Sequence, residues 1–202
     1  HVVLCNNDIE IITPDWIESL REYSQRDDVG VVGAQLFYPD NRIQHAGVVV
    51  GIRGAAGHGH KRFDREDPGY KARPHLAQNV SAVTAALFMV KRSLFEAVGG
   101  LEEDRLQIAF NDIDFCLRVR ERGLLNVFTP YCEAWHHESL SRGYEDTEEK
   151  RDRFWREVEY FRERHAAVLD AGDPYYNPNL TLGNENFDLD EVVKTSREAE
   201  RL

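Results

Sequence analysis

Hydrophobic and polar positions along the chain fall into short blocks that read as alternating strands and helices. Val2, Val3 and Leu4 make a continuous apolar run of the kind a buried strand carries, and Asn6, Asn7 and Asp8 end it where the backbone must turn. Ile9 to Ile12 extend beyond that turn. Thr13 and Pro14 then supply an N-cap and a first helical position, with Trp16, Ile17 and Leu20 on one face of a helix that ends near Arg26. Residues 29–34 and 48–52 are β-branched runs separated by polar Pro39, Asp40 and Asn41, which predicts strand, turn, strand. Residues 53–74 have no period and predict a long loop, and long loops in compact domains are often functional.

The second half repeats the alternation. Residues 80–90 are apolar apart from Ser81 and Thr84, and Ser93 with Glu96 spells a capping box for a short helix closed by Gly99 and Gly100. Residues 111–122 predict an amphipathic helix with Asn111 as N-cap and Gly123 as its stop, followed by two strand pieces around Pro130. Residues 147–169 form a charged helix whose Phe154, Val158, Phe161 and His165 recur at helical spacing, so it docks by one stripe. The Pro- and Asn-rich segment beyond Gly172 predicts an extended tail packing by its Tyr and Leu side chains. The division expected is a main unit over residues 1–144 and a helix-plus-tail unit over residues 145–202.

Composition narrows the class. With 42% hydrophobic and 30% charged residues, 202 residues suffice for one domain with a sizeable core, which excludes a disordered or fibrous chain. Lys plus Arg is 25 against 36 for Asp plus Glu, a net charge of −11 without a basic stripe, so nucleic acid is not an expected partner. Cys5, Cys116 and Cys132 are widely spaced among apolar neighbours and read as buried thiols in a reducing compartment. The chain opens on His1 and an apolar strand, as a fragment cut at its N-terminal side would.

Three clusters carry possible chemistry, each at a strand end or helix start: Asn7 with Asp8, Asp112 with Asp114, and His136 with His137. Asp8 with His136 would suit Mn²⁺ or Mg²⁺, hard ions that take a carboxylate and keep positions open for phosphate oxygens, Mn²⁺ also accepting imidazole. Each cluster has a bland alternative. The Asn-Asn-Asp triplet is also a turn sequence, carboxylates are favoured in any first helical turn, and paired histidines often mark an exposed strand end.

The order and wording of these pieces decide between the readings. LCNNDIEIITPDWIESL resembles the metal-binding turn of family 2 glycosyltransferases, in which a strand ends in a DxD-like motif and a Thr/Ser-Pro-x-Trp helix follows. VSAVTAALFMVKRSLFEAVGGLEEDRLQIAFNDIDFCLRVRERG is similar to the acceptor-side half of that fold, and TPYCEAWHHESLSRG to its closing strand, with a metal-facing His followed five residues later by Ser. The resemblance covers residues 2–143. It differs where the family's Glu before the catalytic Asp is Asn111, and where the first acid of DxD is Asn6.

The resemblance implies an α/β, GT-A-like mixed sheet flanked by helices, with the N-terminal nucleotide-binding portion lying upstream of residue 1. It implies inverting, divalent-metal-dependent transfer of a sugar from a nucleotide-diphosphate donor to a hydroxyl of a polysaccharide or lipid-linked glycan. Asp112 would be the base and Asp8 and His136 the metal ligands. Asn7, Ser81, Thr84, Asn111, Asp114, Trp135 and His137 would contact substrates or support them, Asp114 by orienting its helix or an acceptor hydroxyl. The loop bearing His58, His60, Lys61 and Arg62 would close over the donor or touch an anionic lipid-linked acceptor. A cytoplasmic enzyme meeting the inner face of the plasma membrane peripherally is the setting expected. The alternatives are a metal-dependent phosphoester hydrolase using the same Asp and His residues, and a non-catalytic carbohydrate-binding module, which Asn6 and Asn111 favour.

Overall fold

The computed structural model describes residues 1–137 and 147–191. Its centre is β3 (Val29–Phe37), all nine residues of which are buried. A strand covered on both faces needs apolar or small residues throughout, and VGVVGAQLF supplies them. The glycines serve close approach: a methyl group at Gly33 would overlap Val83, and one at Gly30 would overlap Val119. Around β3 a mixed sheet runs in the order β1 (Val2–Cys5), β8 (Leu87–Val90), β3, β9 (Leu125–His136), β2 (Ile9–Ile11), with β4 (Ile43–His45) on β3 and β7 (Gln78–Val80) on β9. Among the described residues only β3 and β9 pair in parallel. The short strands β5 (Val48–Val50) and β6 (Ala56–His58) form a separate antiparallel ribbon.

Side chains from the two faces of the sheet build two cores. Val32, Ala34, Leu36, Leu87 and Met89 pack with Leu20 of α1 (Trp16–Ser24). Val31, Phe37, Phe88 and Phe128 pack with α3 (Asn111–Glu121) and with Val158 and Phe161 of α4 (Glu148–Arg164). The α/β class with a mixed sheet and flanking helices is therefore as the sequence predicts. No described helix is long and apolar enough to cross a membrane.

Several local expectations give way to competing contacts. Thr13 caps no helix, because its Oγ1 accepts the Glu133 N–H at 3.0 Å, and α1 starts at Trp16. The strand after β3 is β4, whereas β5 turns away to pair with β6. Ser93 and Glu96 make no capping box: in α2 (Arg92–Val98) Glu96 accepts from Arg92 Nε at 2.8 Å instead. Phe110, with φ 65°, is the N-cap of α3, and Asn111 is its first residue. Pro130 does not split β9; its partner register jumps from Thr129 to Glu133 opposite Ala34 and Gln35. The long C-terminal helix breaks at His165 into α4 and α5 (Ala166–Ala171). Cys116 and Cys132 are buried, but Cys5 is exposed. Residues 53–74 are more ordered than their pattern predicts, since they include β6 and pack His60, fully buried, face to face on Phe187 of the tail at 4.1 Å. The expected unit boundary at residues 144 and 145 lies outside the described residues, as does the Ser that follows His136 by five.

Asp114 fastens α3 to the C-terminal helices. It is wholly buried and takes Arg118 Nε at 2.8 Å, Arg164 Nε at 2.7 Å and His165 Nε2 at 2.9 Å. Arg118 also donates to the Val98 and Gly100 carbonyls, closing the end of α2 onto α3. Burial pulls the Asp114 carboxyl upward, but the bond from His165 and the two guanidinium groups outweigh it and hold it below the ordinary 3.8. Replacing Asp114 with Ala strands these cations, so urea unfolding should register a loss of about 3–5 kcal/mol. Because the folded carboxyl is the stronger acid, its contribution is present above about pH 4 and disappears as pH falls through the folded value. Acid unfolding of Asp114→Asn should lack that component.

Candidate functional site

The turn that links β1 to β2 carries Asn6, Asn7 and Asp8. Asn6 N–H donates to the Ala86 carbonyl at 2.9 Å, and β2 pairs with the end of β9 so that Ile9 stands opposite His136. The His137 N–H then donates to the Asp8 carbonyl at 3.0 Å. Strand register therefore brings Asp8 and His136 together: Asp8 Oδ1 lies 3.2 Å from His136 Nε2, and Asn6 Nδ2 is 3.3 Å from the same nitrogen.

Gln44 on β4, which is buried, settles which way the imidazole is protonated. Its Nε2 donates to the His136 carbonyl at 3.4 Å, so its Oε1 is the atom 2.6 Å from His136 Nδ1 and must accept a proton from it. His136 Nε2 then faces two groups: the Asn6 amide, whose N–H meets its lone pair in the neutral ring, and Asp8 Oδ1, which is buried and accepts no hydrogen bond. Either a proton on Nε2 or a cation held between the two groups would meet that oxygen. Neighbouring ligands of an octahedral ion with bonds of about 2.1 Å stand about 3 Å apart, close to the observed separation. A ligand imidazole whose other nitrogen is fixed by a carbonyl oxygen is the usual supporting arrangement. Among the described residues no three His, Cys, Asp or Glu side chains converge, so these two would leave most positions of such an ion to other oxygens.

Across the same cleft, about 700 Å³ in volume, stands Asp112. It is the second residue of α3, half-buried, and held on three sides. Oδ2 accepts the Ala85 N–H at 3.0 Å, Oδ1 accepts the Ile113 N–H at 2.8 Å, and the Thr84 hydroxyl bonds the carboxylate as well. The Asp112 N–H is a fourth donor to the same carboxylate. Burial pushes the Asp112 carboxyl above the ordinary carboxylate value, against the opposing pull of those bonds.

Asn7, Asp8, Thr84, Asn111, Asp112 and His136 all line this cleft, whereas Ser81, Asp114, Trp135 and His137 do not. Ser81 is fully buried and accepts from Arg120 Nη1 at 3.1 Å. Asp114 is turned inward to its three cations, so of its two expected roles it fills that of orienting the helix. Trp135 Nε1 donates to Asn41 Oδ1 at 2.9 Å, and His137 Nε2 is 3.0 Å from Glu10 Oε2. Two histidines of the predicted loop are also turned to structure. His60 Nε2 accepts the Tyr70 N–H at 3.0 Å, and His58 Nδ1 lies 2.8 Å from Nδ1 of the buried His45. Arg62 stacks over Tyr38. Gln44 escapes a reading of the sequence; its signal is a lone uncharged polar residue between Ile43 and the apolar run 48–50.

No family model matches the chain. Over 188 residues, 93% of this chain, it is 55% identical to an uncharacterized protein, y4gI, of Sinorhizobium fredii, and the match covers 21% of that protein. Over 183 residues, 90% of this chain, it is 38% identical to a protein of Myxococcus xanthus named O-antigen biosynthesis protein RfbC, covering 14% of it. The chain thus spans between a seventh and about a fifth of the curated relatives it matches.

Proposed function

We propose that this chain is the metal-binding and base-bearing part of an inverting glycosyltransferase of the GT-A kind. It would move a sugar from a nucleotide-diphosphate donor to a hydroxyl of a polysaccharide or lipid-linked glycan, at the cytoplasmic side of a membrane. The observation that carries this reading is one cleft holding the Asp8–His136 pair, with a buried Asp8 oxygen that accepts no hydrogen bond, and, across from it, the desolvated carboxylate of Asp112. The relative named for O-antigen biosynthesis supports the coarser statement, a role in sugar-polymer biosynthesis.

Asp8 and His136 would hold Mn²⁺ or Mg²⁺, which when bound supplies positive charge to a departing diphosphate. Gln44, accepting from Nδ1, keeps His136 Nε2 turned toward Asp8, and the Asn6 amide lies against the same nitrogen. Asp112 accepts the proton of the acceptor hydroxyl as its oxygen bonds to the anomeric carbon. The bond from that carbon to the diphosphate oxygen breaks on the opposite face, the anomeric configuration inverts, and the nucleoside diphosphate leaves. The raised pKa makes Asp112 a stronger base than an ordinary carboxylate, while Ala85, Ile113 and Thr84 fix its rotamer.

Calorimetric titration of Mn²⁺ with UDP, GDP or dTDP into a protein extended upstream of residue 1 should give binding that Asp8→Ala abolishes. Gln44→Leu should weaken Mn²⁺ binding by about 10- to 100-fold with the near-ultraviolet circular dichroism unchanged. Absence of metal-dependent nucleotide binding by the upstream-extended protein would overturn the reading, as would release of sugar 1-phosphate or inorganic phosphate in place of nucleoside diphosphate, the products of a hydrolase.

For transfer itself, Asp112→Asn should lower kcat by about 10²- to 10⁴-fold with nucleotide binding retained. In the unsubstituted protein kcat/KM should fall as pH drops through a single ionisation above the ordinary carboxylate value. Loss of nucleotide binding together with activity in Asp112→Asn would instead make this residue part of the donor site.

A further inference from the structure

A second pocket, about 360 Å³, opens beside the cleft between α4 and the β5–β6 ribbon. Its wall is aromatic: Phe110, Phe154 and Trp155, with Phe110 and Phe154 ring centroids 6.0 Å apart and Trp155 edge-on to Phe154 at 5.7 Å. Trp155 is 57% exposed, an unusual state for so large an apolar side chain. Sugar rings offer C–H faces that pack on such a surface, and the indole keeps a polar edge for hydroxyl groups.

The charges around this wall are uneven. Arg53 is paired with Glu185 at 3.1 Å, and Arg162 donates to the Gly54 carbonyl at 2.6 Å and to the Arg53 carbonyl at 3.3 Å. His58 is neutral, since burial and then the nearby Lys61 ammonium push it down to about 3. Lys61 is half-buried and has no hydrogen-bond or carboxylate partner among the described residues. In a chain of net charge −11, an ammonium beside an aromatic wall and without a counter-ion among the described residues is suited to meet an anionic group.

Position relates the pocket to the cleft. Phe110 belongs to the pocket wall, while Asn111 and Asp112 line the cleft, so no more than about 7 Å of backbone separates the wall from the base. We infer that this pocket is the subsite for an anionic saccharide acceptor, whose sugar ring lies on Trp155 and whose carboxylate or phosphate meets Lys61. Its role as an acceptor site rests on the transferase reading, but its affinity for the saccharide does not.

The test is direct binding, by calorimetry and by quenching of tryptophan fluorescence, of trigalacturonate, glucose 6-phosphate and neutral maltotriose, without donor or metal. The anionic ligand should bind more tightly than maltotriose, and whichever of the two anions binds identifies carboxylate or phosphate as the group read. Lys61→Gln should lose about tenfold or more for the anionic ligand and leave maltotriose unchanged. Trp155→Ala, an exposed position that the fold tolerates, should weaken all the saccharides that bind. Equal affinity for charged and neutral saccharides, or an unchanged affinity in Lys61→Gln, would overturn the inference. Saccharide binding in a protein that binds no nucleotide with Mn²⁺ would keep the pocket and remove the transferase reading. Nucleotide binding without saccharide binding would do the reverse.

Discussion

A single buried negative charge, Asp114, is what several elements are arranged to neutralise. Without Arg118 from its own helix and Arg164 and His165 from the C-terminal helices it would sit uncompensated in the core, at a cost of several kcal/mol. Those partners fix where α4 ends and α5 begins, and Arg118 in turn holds the last carbonyls of α2. Asp112, two residues earlier on the same helix, faces the cleft. The two carboxylates differ because one meets three cationic or N–H donors with long side chains and the other meets backbone amides and a hydroxyl in a partly desolvated wall. The placement of the cleft carboxylate thus depends on the anchoring of the buried one.

The cleft is assembled from pieces that are far apart in the chain and rigid where they meet. The β1–β2 turn brings Asp8, the last residues of β9 bring His136, β4 brings Gln44, and the segment before β8 brings the Ala85 N–H and the Thr84 hydroxyl. Each is tied to the sheet by register or by backbone hydrogen bonds, so the side chains are placed with little conformational entropy left to lose. Phe110, in a left-handed conformation, turns the chain into α3 and separates the cleft from the aromatic pocket beside α4.

Much of this architecture was legible in the sequence where the signal is local. The apolar run before Asn6, the glycine stop at Gly123, the helical stripe of Val158, Phe161 and His165, and the cluster of Asp8, Asp112 and His136 all stand in short patterns. What failed was a local pattern overruled by a nonlocal partner. Thr13 has the form of a cap but meets the Glu133 N–H, and Ser93 with Glu96 has the form of a capping box but Arg92 takes the carboxylate. Gln44 shows the limit more sharply, because the importance of that residue lies in an imidazole 92 positions away. Asp114 reads as a candidate substrate contact until its partners fifty residues downstream are seen. Motifs give the residues that line the cleft; the contacts that orient them come from tertiary structure.

The pairing of β3 with β9 has a kinetic consequence. Val29 stands beside Leu125 and Phe37 beside Trp135, so the central ladder of the sheet joins segments separated by nearly half of the chain. Such a loop must be closed before its contacts repay the lost entropy, which makes docking of β9 a slow and late event. His136 is at the end of that strand, and Asp8 is near the start of the chain. Until β9 inserts between β3 and β2 the two are strangers, and a nascent or partly folded chain has no place to capture an ion. If the pair holds an ion as proposed, its capture would report on completion of the sheet, and an ion present during refolding would stabilise the finished fold without guiding its earlier steps.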